Sequence, residues 1–262
     1  MIKRTTEIIK KALFTAPFLL MFWPFGALAE SACESVQFDE KVTVRYVHDG
    51  DTVHLRDGRK LRLIGINTPE RAREDVPAEP YAGMARRRLQ VQAEGSWGLV
   101  YDRERRDRYG RLLAHVFDHQ GRNITRRLLE QGTGQLLVIP PNLRFLECYR
   151  RAQDRARRHK RGLWALSTYQ TLPVAMLDSQ HRGQYRVLRG RLTRIGESRS
   201  SLWLNLGPDF ALRIARTDLS HFERERIAAW RHQPLLVQGW IYRRNNQWRM
   251  RLRHPAALLE TP

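Results

Sequence analysis

Three short segments of the sequence carry side chains that can do chemistry together. They are DGDT at residues 49–52, RLIGINTPE at residues 62–70 and RRDRYGR at residues 105–111. Between them they supply carboxylates, neutral oxygens and guanidinium groups. Metal-assisted hydrolysis of a phosphodiester requires this combination: hard oxygen ligands for a divalent cation, a base that activates water, and cations that hold the charge gathering on phosphorus.

Four of these residues can supply the oxygens and the base. Asp51 directly follows a tight turn, while Asn67 and the carbonyl of Thr68 lie at the end of a predicted strand. Glu70 comes one proline later. We therefore expect Asp51, Asn67 and Thr68 to be candidate metal ligands and Glu70 to be the candidate base.

Two arginines can supply the cations. On a strand, Arg62 leaves the same face as Ile64 and Ile66, so its guanidinium needs an anionic partner or a wet cleft. Arg111 ends the third segment. Arginine suits phosphate better than lysine because its planar fork meets two phosphate oxygens at once.

Each segment alone also has a plain structural explanation. Asp-Gly-Asp is commonly a hairpin turn, and Thr-Pro-Glu commonly opens a helix or turn in which Glu70 caps backbone N–H groups. The third segment can be an exposed hairpin whose arginines pair with Glu104 and Asp107. The order and spacing of all three together favour the catalytic interpretation.

In that order and spacing the segments resemble the staphylococcal nuclease (thermonuclease) family. The resemblance runs from about residue 40 to residue 166 and includes Gly-Leu-Trp at 162–164. It implies a mainly β, α+β domain: a five-stranded Greek-key barrel of the OB fold with three helices. It also implies a Ca²⁺-dependent, sugar-nonspecific endonuclease that hydrolyses phosphodiester bonds of DNA and/or RNA.

The resemblance further implies a role for each site residue. By this resemblance Asp51, Asn67 and Thr68 bind calcium. Glu70 is the general base, and Arg62 and Arg111 stabilise the phosphorane-like transition state. Arg108 and Tyr109 contact substrate, and Asp107 braces their turn.

Two departures from the family pattern bear on these expectations. The best-known member has an aspartate where this chain has Asn67, so one negative charge is lost from the expected metal site. We expect weaker Ca²⁺ binding or a changed metal preference. Where that member has tyrosines that assist nucleotide binding, this chain has Val138 and Pro140, which leaves substrate preference open.

The family also contains non-catalytic nucleic-acid-binding modules, which is the alternative function. Such modules typically lose the carboxylates or the arginines. Asp51, Arg62, Glu70 and Arg111 all remain in this chain, which favours the enzyme.

Composition limits the class of partner. The 262 residues are 42% hydrophobic and 28% charged, which excludes a collagen-like, wholly disordered or multi-span membrane chain. With 47 Lys and Arg against 27 Asp and Glu, the formal charge is +20. Such a chain seeks polyanions: nucleic acid, an anionic membrane surface or acidic polysaccharide.

The amino terminus predicts export. Residues 1–29 combine basic residues, an apolar run and a terminal Ala-Leu-Ala, which is the pattern of a cleaved signal peptide, with an uncleaved anchor as the alternative. We therefore expect a periplasmic or secreted monomer without stable membrane association. In an oxidising compartment Cys33 and Cys148 form an even pair and predict one disulfide, because no Cys-His constellation supports a catalytic thiol.

Periodicity and turn residues predict the elements that must position the site. The predicted catalytic domain is 30–166, the linker 167–183 and a second domain 184–262. Strands are expected at 41–66, 98–103 and 112–117 and helices near 81–93, 124–131 and 143–159. His115 and His119 lie on a predicted hairpin, so the helical i, i+4 geometry of zinc ligands does not apply, and they are expected to be surface or hairpin residues.

The second domain predicts three strands, a helix at 219–230 and two further strands, the order of a small OB-like β-barrel. It mixes tryptophans and other aromatic residues with many arginines, a composition that suits single-stranded nucleic acid. The alternative is that the tryptophans form the core and the arginines a solubilising face. We expect this domain to raise affinity for substrate.

Overall fold

The structure is a computed structural model that describes residues 33–34, 37–74 and 76–260. The predicted signal peptide at residues 1–29 lies outside the described residues. Among the residues described, none of the helices has both the length and the apolar character needed to cross a bilayer.

Five strands close the barrel predicted for the first part of the chain. They pair in the order β1-β2-β3-β6-β5, and β5 returns to pair with β1. The strands are β1 Glu40–Val47, β2 Thr52–Leu55, β3 Lys60–Leu63, β5 Ser96–Val100 and β6 Leu112–Phe117. Beside the barrel, β4 Ile66–Asn67 and β7 Gln135–Leu136 form a separate antiparallel pair. A closed five-stranded barrel with helices fits the α+β OB fold.

Three helices pack with this barrel, within a few residues of the predicted positions. They are α1 Ala82–Gln92, α2 Ile124–Glu130 and α3 Leu146–Arg158. The side chain of Asn123 accepts a hydrogen bond from the N–H of Arg126 and so caps the start of α2. In α3, Tyr149, Ala152 and Ala156 are buried, so this arginine-rich helix has one face in the core.

The amino-terminal end of the described chain is tied to α3. Cys33 and Cys148 are both buried and joined by a disulfide, with their Cα atoms 5.7 Å apart. The predicted bridge is therefore present and closes a sequence separation of 115 residues.

Of the two expectations for His115, the hairpin holds and the surface does not, since it lies on β6 and pairs with Val100 on β5. His115 is buried, because two partners satisfy both of its ring nitrogens: Nδ1 lies 2.8 Å from the hydroxyl of Tyr149, and Nε2 lies 3.3 Å from Asp102 Oδ2. His119 is exposed, as expected.

The remaining strands form a second sheet, in the order β10-β11-β12-β14-β13-β9-β8, with β15 also paired to β13. They are β8 Leu172–Pro173, β9 Tyr185–Arg191, β10 Arg194–Glu197, β11 Ser201–Asn205, β12 Phe210–Ala215, β13 Pro234–Arg244, β14 Gln247–Arg251 and β15 Leu258–Glu260. Closure into an OB-like barrel is not among the pairings of the described strands and stays a prediction.

The helix expected at 219–230 is two shorter elements. A 3₁₀ helix spans Arg216–His221, and α4 spans Arg224–Ala229. Phe222 and Glu223 between them are in extended backbone conformation, which interrupts the helix. Phe222 is nevertheless buried in the core of the second sheet, so its burial and not helical periodicity explains the apolar pattern.

The second sheet contacts the first part of the chain directly. Tyr185 donates a hydrogen bond from its hydroxyl to the carbonyl of Leu136 at 2.7 Å, and the side-chain amide of Gln238 donates to the same carbonyl at 3.0 Å. A buried apolar cluster joins both parts of the chain; it contains Ala156, Leu163, Trp164, Tyr169, Val187 and Leu236. The segment predicted as a linker contributes Tyr169 to this cluster. The domain limits themselves stay predictions.

Candidate active site

The turn between β1 and β2 places Asp51 against the segment that follows β4. Asp49 accepts a hydrogen bond from the N–H of Asp51 at 3.1 Å, which closes a tight turn around Gly50. A Cβ on Gly50 would lie 2.7 Å from the Cβ of Ala85 and 2.8 Å from the Cβ of Thr68. Only glycine therefore allows this close approach of the turn to Thr68.

The carboxylate of Asp51 lies at the centre of the site. One oxygen, Oδ2, accepts from the N–H of Thr68 at 2.8 Å and from its hydroxyl at 2.9 Å. The other, Oδ1, accepts from the hydroxyl of Thr52 at 3.0 Å and lies 3.0 Å from Arg62 Nη1. Because Asp51 is only 4% exposed, these protein groups take the place of water around its charge.

Burial controls the acidity of Asp51. It raises the pKa of this carboxyl from its ordinary value to about 6; the positive charge of Arg62 opposes the rise, and the nearby Asp49 adds to it. Because the pKa rises, the cost of removing this carboxylate from water outweighs its stabilisation by the charge of Arg62. Asp51 is therefore a carboxylate that gains from any further positive charge at its surface.

Strand pairing explains why Arg62 reaches Asp51. Arg62 on β3 lies opposite Thr52 on β2, and Thr52 is the residue after Asp51. The side chain of Arg62 is nearly buried, and Nη1 also donates to the carbonyl of Leu63 at 3.1 Å. The predicted anionic partner of this strand arginine is thus Asp51.

Asn67 and Glu70 flank Thr68 in the chain. Asn67 is buried and pairs with Gln135 across the short β4–β7 ladder. Glu70 follows Pro69, and two residues of chain keep its backbone within about 7 Å of Thr68. The segment that holds Asp51 therefore also places Asn67 and Glu70 beside it.

Glu70 is the open member of the site. Its side chain is half exposed, and its carboxylate forms an ion pair with the exposed Arg73. Its N–H donates to Glu79 Oε2 at 2.9 Å, and the N–H of Glu79 donates back to the Glu70 carbonyl at 2.9 Å. Burial raises the pKa of Glu79. Glu79 thus anchors the Glu70 backbone and leaves the Glu70 side chain accessible to water.

The third segment is a turn braced by Asp107. One oxygen of Asp107 accepts from the N–H groups of Tyr109 and Arg111, at 2.9 and 3.0 Å, and the other accepts from Arg111 Nε at 2.7 Å. Gly110 in this turn has a φ of 77°, which favours glycine. This arrangement fixes the guanidinium of Arg111 at the start of β6.

Arg62 lies on β3, and Arg111 directly precedes the neighbouring strand β6. In the parallel β3–β6 pair, Arg62 is opposite Leu113, two residues after Arg111. One interstrand spacing and two residues of chain separate their backbones, about 8 Å in all. The two arginines expected to bind phosphate are therefore close enough to contact one group.

Arg108 and Tyr109 form the exposed tip of the turn. Arg108 lies over the Tyr109 ring, 4.8 Å from its centroid, and donates to the Tyr109 hydroxyl at 2.7 Å. Arg111 lies 5.6 Å from the same ring. With Tyr109 69% exposed, this ring is open to stacking by a ligand.

The structure brings the expected site residues together to different degrees. Asp51, Arg62 and Thr68 are in direct contact. Asn67 and Glu70 lie within two residues of Thr68 in the chain. Glu70 forms its ion pair with Arg73, and Arg111 forms its ion pair with Asp107 of the same turn.

Two residues that contact Asp51 were missed by reasoning from the sequence. Thr52 donates to its carboxylate, and the buried Asp49 holds its N–H and raises its pKa. The signal was the pair of aspartates that flanks Gly50, since such a side chain commonly accepts from the N–H two residues later.

The donor types at this site fit a hard divalent cation. Asp51 supplies a carboxylate, Asn67 an amide oxygen and Thr68 a backbone carbonyl, all of the kind that Ca²⁺ prefers. Over the described part of the chain, no group of three or more His, Cys, Asp and Glu side chains could hold a metal ion. A cation held here would need neutral oxygens beside Asp51, and it would compete with Arg62 for that carboxylate.

A closed five-stranded barrel with three helices is the architecture of an OB-fold domain, and this one holds the buried Arg62–Asp51 pair. The family model described as "Staphylococcal nuclease homologue" matches residues 60–166. The thermonuclease of Staphylococcus hyicus is 31% identical over 171 residues, which are 62% of this chain and 98% of that protein. The chain belongs to the staphylococcal nuclease family.

Two further relatives show the same likeness over less of this chain. The thermonuclease of Staphylococcus intermedius is 33% identical over 133 residues, 48% of this chain and 76% of that protein. The endonuclease YncB of Bacillus subtilis (strain 168) is 32% identical over 136 residues, 50% of this chain and 64% of that protein.

Proposed function

We propose that this chain is an exported, Ca²⁺-dependent, sugar-nonspecific nuclease that hydrolyses phosphodiester bonds of DNA and/or RNA. The observation that carries the proposal is the contact of Asp51 with Arg62 and Thr68 at the edge of the closed barrel. Relatives named thermonuclease and endonuclease support phosphodiester hydrolysis as the family's chemistry.

Glu70 acts as the general base. Its exposed carboxylate takes a proton from a water molecule as the water oxygen forms a bond to phosphorus and the bond to the leaving oxygen breaks. Arg73 holds the same carboxylate in this structure, so Glu70 must exchange that partner for water when substrate binds.

Arg62 and Arg111 bind the phosphate and stabilise the charge that gathers on it. Arg62 is held by Asp51 and by the Leu63 carbonyl, and Arg111 is held by Asp107. Because both guanidinium groups are oriented by protein partners before substrate arrives, little reorganisation is needed in the transition state. Arg108 and Tyr109 contact neighbouring parts of the substrate.

Asp51, Asn67 and Thr68 would hold the calcium ion. When bound, this ion would supply a Lewis acid for a phosphate oxygen. Asp51 gives the set its charge, and its burial leaves it few competing waters. The amide of Asn67 adds an oxygen without charge, so we expect looser calcium binding than an aspartate would give.

Export is supported by the disulfide. A bridge between Cys33 and Cys148 is compatible with a periplasm or an extracellular medium, where thiols are not kept reduced. The formal charge of +20 suits a polyanionic substrate. We propose a periplasmic or secreted monomer.

Cleavage of single-stranded DNA by the purified chain with Ca²⁺, with and without a chelator, tests the proposal. Glu70→Ala should lower kcat by about 10²- to 10⁴-fold and leave binding of the oligonucleotide unchanged. The control is Glu94→Ala, another exposed glutamate, which should retain full activity.

Two results would contradict the proposal. Parent protein that binds the oligonucleotide but never cleaves it would be the non-catalytic binding module of the same family. Full activity of Glu70→Ala would remove Glu70 as the base, and activity that survives the chelator would remove the metal.

A further inference from the structure

The second sheet has one apolar face and one face rich in arginine. Alternate residues such as Leu204, Leu212 and Met250 belong to its core cluster. The residues between them point to the opposite side. We call Trp203, Arg213, Tyr242, Arg249 and Arg251 the outer arginine face; they lie on β11, β12, β13 and β14.

Strand register makes these residues neighbours. Arg213 on β12 lies between Trp203 on β11 and Arg251 on β14. Two residues before Arg251 on β14, Arg249 lies between Ala211 on β12 and Tyr242 on β13. Since paired strands are about 4.8 Å apart, these side chains form one continuous surface that contains three arginines and two aromatic rings.

The contacts within the face leave most of its positive charge available. Arg249 lies over the Trp203 ring, 4.7 Å from the centroid, and its Nε donates to the side chain of Gln247. Arg213 Nε donates to the hydroxyl of Ser201 at 2.8 Å. These partners are neutral. Arg251 differs, because it forms an ion pair with Asp218 at 2.8 Å.

A merely solubilising face would be arranged differently. Such surfaces intersperse both signs of charge and need no large ring. Among the described contacts of the outer arginine face, Asp218 is the one carboxylate, and Arg251 engages it. Trp203 is outside the core cluster, so packing of the sheet does not explain it.

The outer arginine face lies beside the catalytic part of the chain. On β13 the same side of the strand carries Gln238, which bonds to Leu136, then Trp240, which is 43% exposed, and then Tyr242. One sheet surface therefore docks on the first part of the chain at one end and is open at the other.

A second connection comes from the residue beyond β14. Arg253 comes two residues after Arg251, the spacing at which side chains of an extended chain lie on the same side. Burial lowers the pKa of Arg253; the charges of Arg251 and Arg108 lower it further, and those of Asp218 and Glu104 raise it. Ala256, three residues later, packs against the core of the first part of the chain. The chain that follows β14 therefore lies against the part that carries the turn of Arg108.

We propose that the outer arginine face binds single-stranded nucleic acid and continues the substrate path that begins at Arg108 and Tyr109. Unpaired bases stack on Trp203, and phosphates contact Arg213 and Arg249. A duplex offers no free base faces, so the site prefers single strands. The choice of ligand rests on the proposed nuclease function.

Binding of a short fluorescent oligothymidylate, followed by anisotropy, tests the proposal. The full chain carries Glu70→Ala, and chelator is present, so the probe is not cleaved. The full chain is needed because Val187 and Leu236 are buried against Leu163 and Trp164, and truncation would expose them.

In this background Trp203→Ala should raise Kd by about 5- to 100-fold, whereas Trp203→Phe should retain most of the affinity. Replacing Arg213 and Arg249 together by alanine should weaken binding and lower the slope of log K against log salt by about 1.4. The matched control is Arg226→Ala on α4, an exposed arginine paired with Glu223, which should change Kd less than twofold.

Unchanged affinity in both sets of variants would overturn the proposal. So would loss of binding to vesicles of anionic phospholipid with unchanged binding of oligothymidylate, since the face would then be a membrane surface. Arg213 and Arg249 are partly exposed and lie outside the core cluster, so their variants decide the matter if Trp203→Ala fails to fold. A chain that never cleaves but binds through Trp203 would refute the nuclease function and leave this proposal standing.

Discussion

Arg62 Nη1 lies 3.0 Å from Asp51 Oδ1, so the arginine proposed to bind phosphate neutralises the carboxylate proposed to bind calcium. Both side chains are nearly buried, and burial raises the pKa of Asp51 to about 6 despite the arginine. The charge of Arg62 therefore does not fully compensate the Asp51 carboxylate for the hydration that it loses on burial. A cation held by Asp51 would compete with Arg62 for the same carboxylate, so metal binding and phosphate binding would be linked at this pair.

Removal of this guanidinium should damage catalysis more than folding. We expect Arg62→Ala to lower kcat by about 10²- to 10³-fold, the loss seen when one charge-stabilising donor is removed from a transition state. Asp51 would keep its hydrogen bonds from Thr68 and Thr52. Steady-state cleavage kinetics and a thermal unfolding curve measure the two effects.

The control is Arg59→Ala, on the same β2–β3 hairpin. Arg59 forms ion pairs with Glu40 and Asp57 away from the site, so its loss should leave kcat within about twofold. If Arg62→Ala retained parental kcat, Arg62 would be only a structural partner of Asp51.

Asn67→Asp should strengthen calcium binding. The substitution adds a charged oxygen beside Asp51 and Thr68, and ligand charge is a main determinant of calcium affinity. We expect the calcium concentration for half-maximal activity to fall about tenfold, and calorimetry with Ca²⁺ alone should show the same shift. Asn246→Asp in the exposed β13–β14 turn is the matched control. An unchanged calcium requirement would place the ion away from Asn67.

The contact of Asp51 with Arg62 was within reach of the sequence because it is set locally. A tight turn joins β1 to β2, and Thr52 pairs with Arg62 in the next hairpin. Few residues separate these positions, so alternation and turn chemistry suffice. The positions of the three helices in the first part also follow from local sequence patterns, and in α2 a capping residue, Asn123, marks the start.

Features that depend on distant segments could not be predicted. The sequence around His115 predicts a hairpin. Its burial depends on Tyr149 of α3, which lies 34 residues later in the chain. The extended Phe222 lies in an apolar pattern that also fits a helix. Nothing near Leu136 signals that Tyr185 and Gln238 will both bond to its carbonyl.

The buried His115–Asp102 pair should make the fold sensitive to acid. Burial acts to raise the pKa of Asp102, but hydrogen bonds from His115 and from the N–H groups of Arg144 and Arg103 outweigh it and lower the pKa from 3.8 to about 2. The stability that the carboxylate contributes is therefore present above about pH 4 and lost as the pH falls toward 2. Burial also lowers the pKa of His115, whose contribution is lost as the pH falls below its ordinary value of 6.5.

Asp102→Asn tests this assignment. The variant should be less stable at neutral pH by on the order of 1 kcal/mol, and its stability should change less than the parent's between about pH 4 and pH 2. Denaturant unfolding at a series of pH values measures both effects. A variant curve parallel to the parent's throughout would show that another carboxylate dominates acid unfolding.

The disulfide should contribute a large share of stability. Cys33 and Cys148 close a loop with a sequence separation of 115, and a loop of that length restricts the unfolded chain by up to about 4 to 5 kcal/mol. Replacing both cysteines by alanine should therefore lower the free energy of unfolding by about 3 to 5 kcal/mol. Denaturant titration measures the loss, and the parent treated with reductant should show the same loss while the variant no longer responds to reductant. A loss below about 1 kcal/mol would mean that the segment at Cys33 is held to α3 by packing alone.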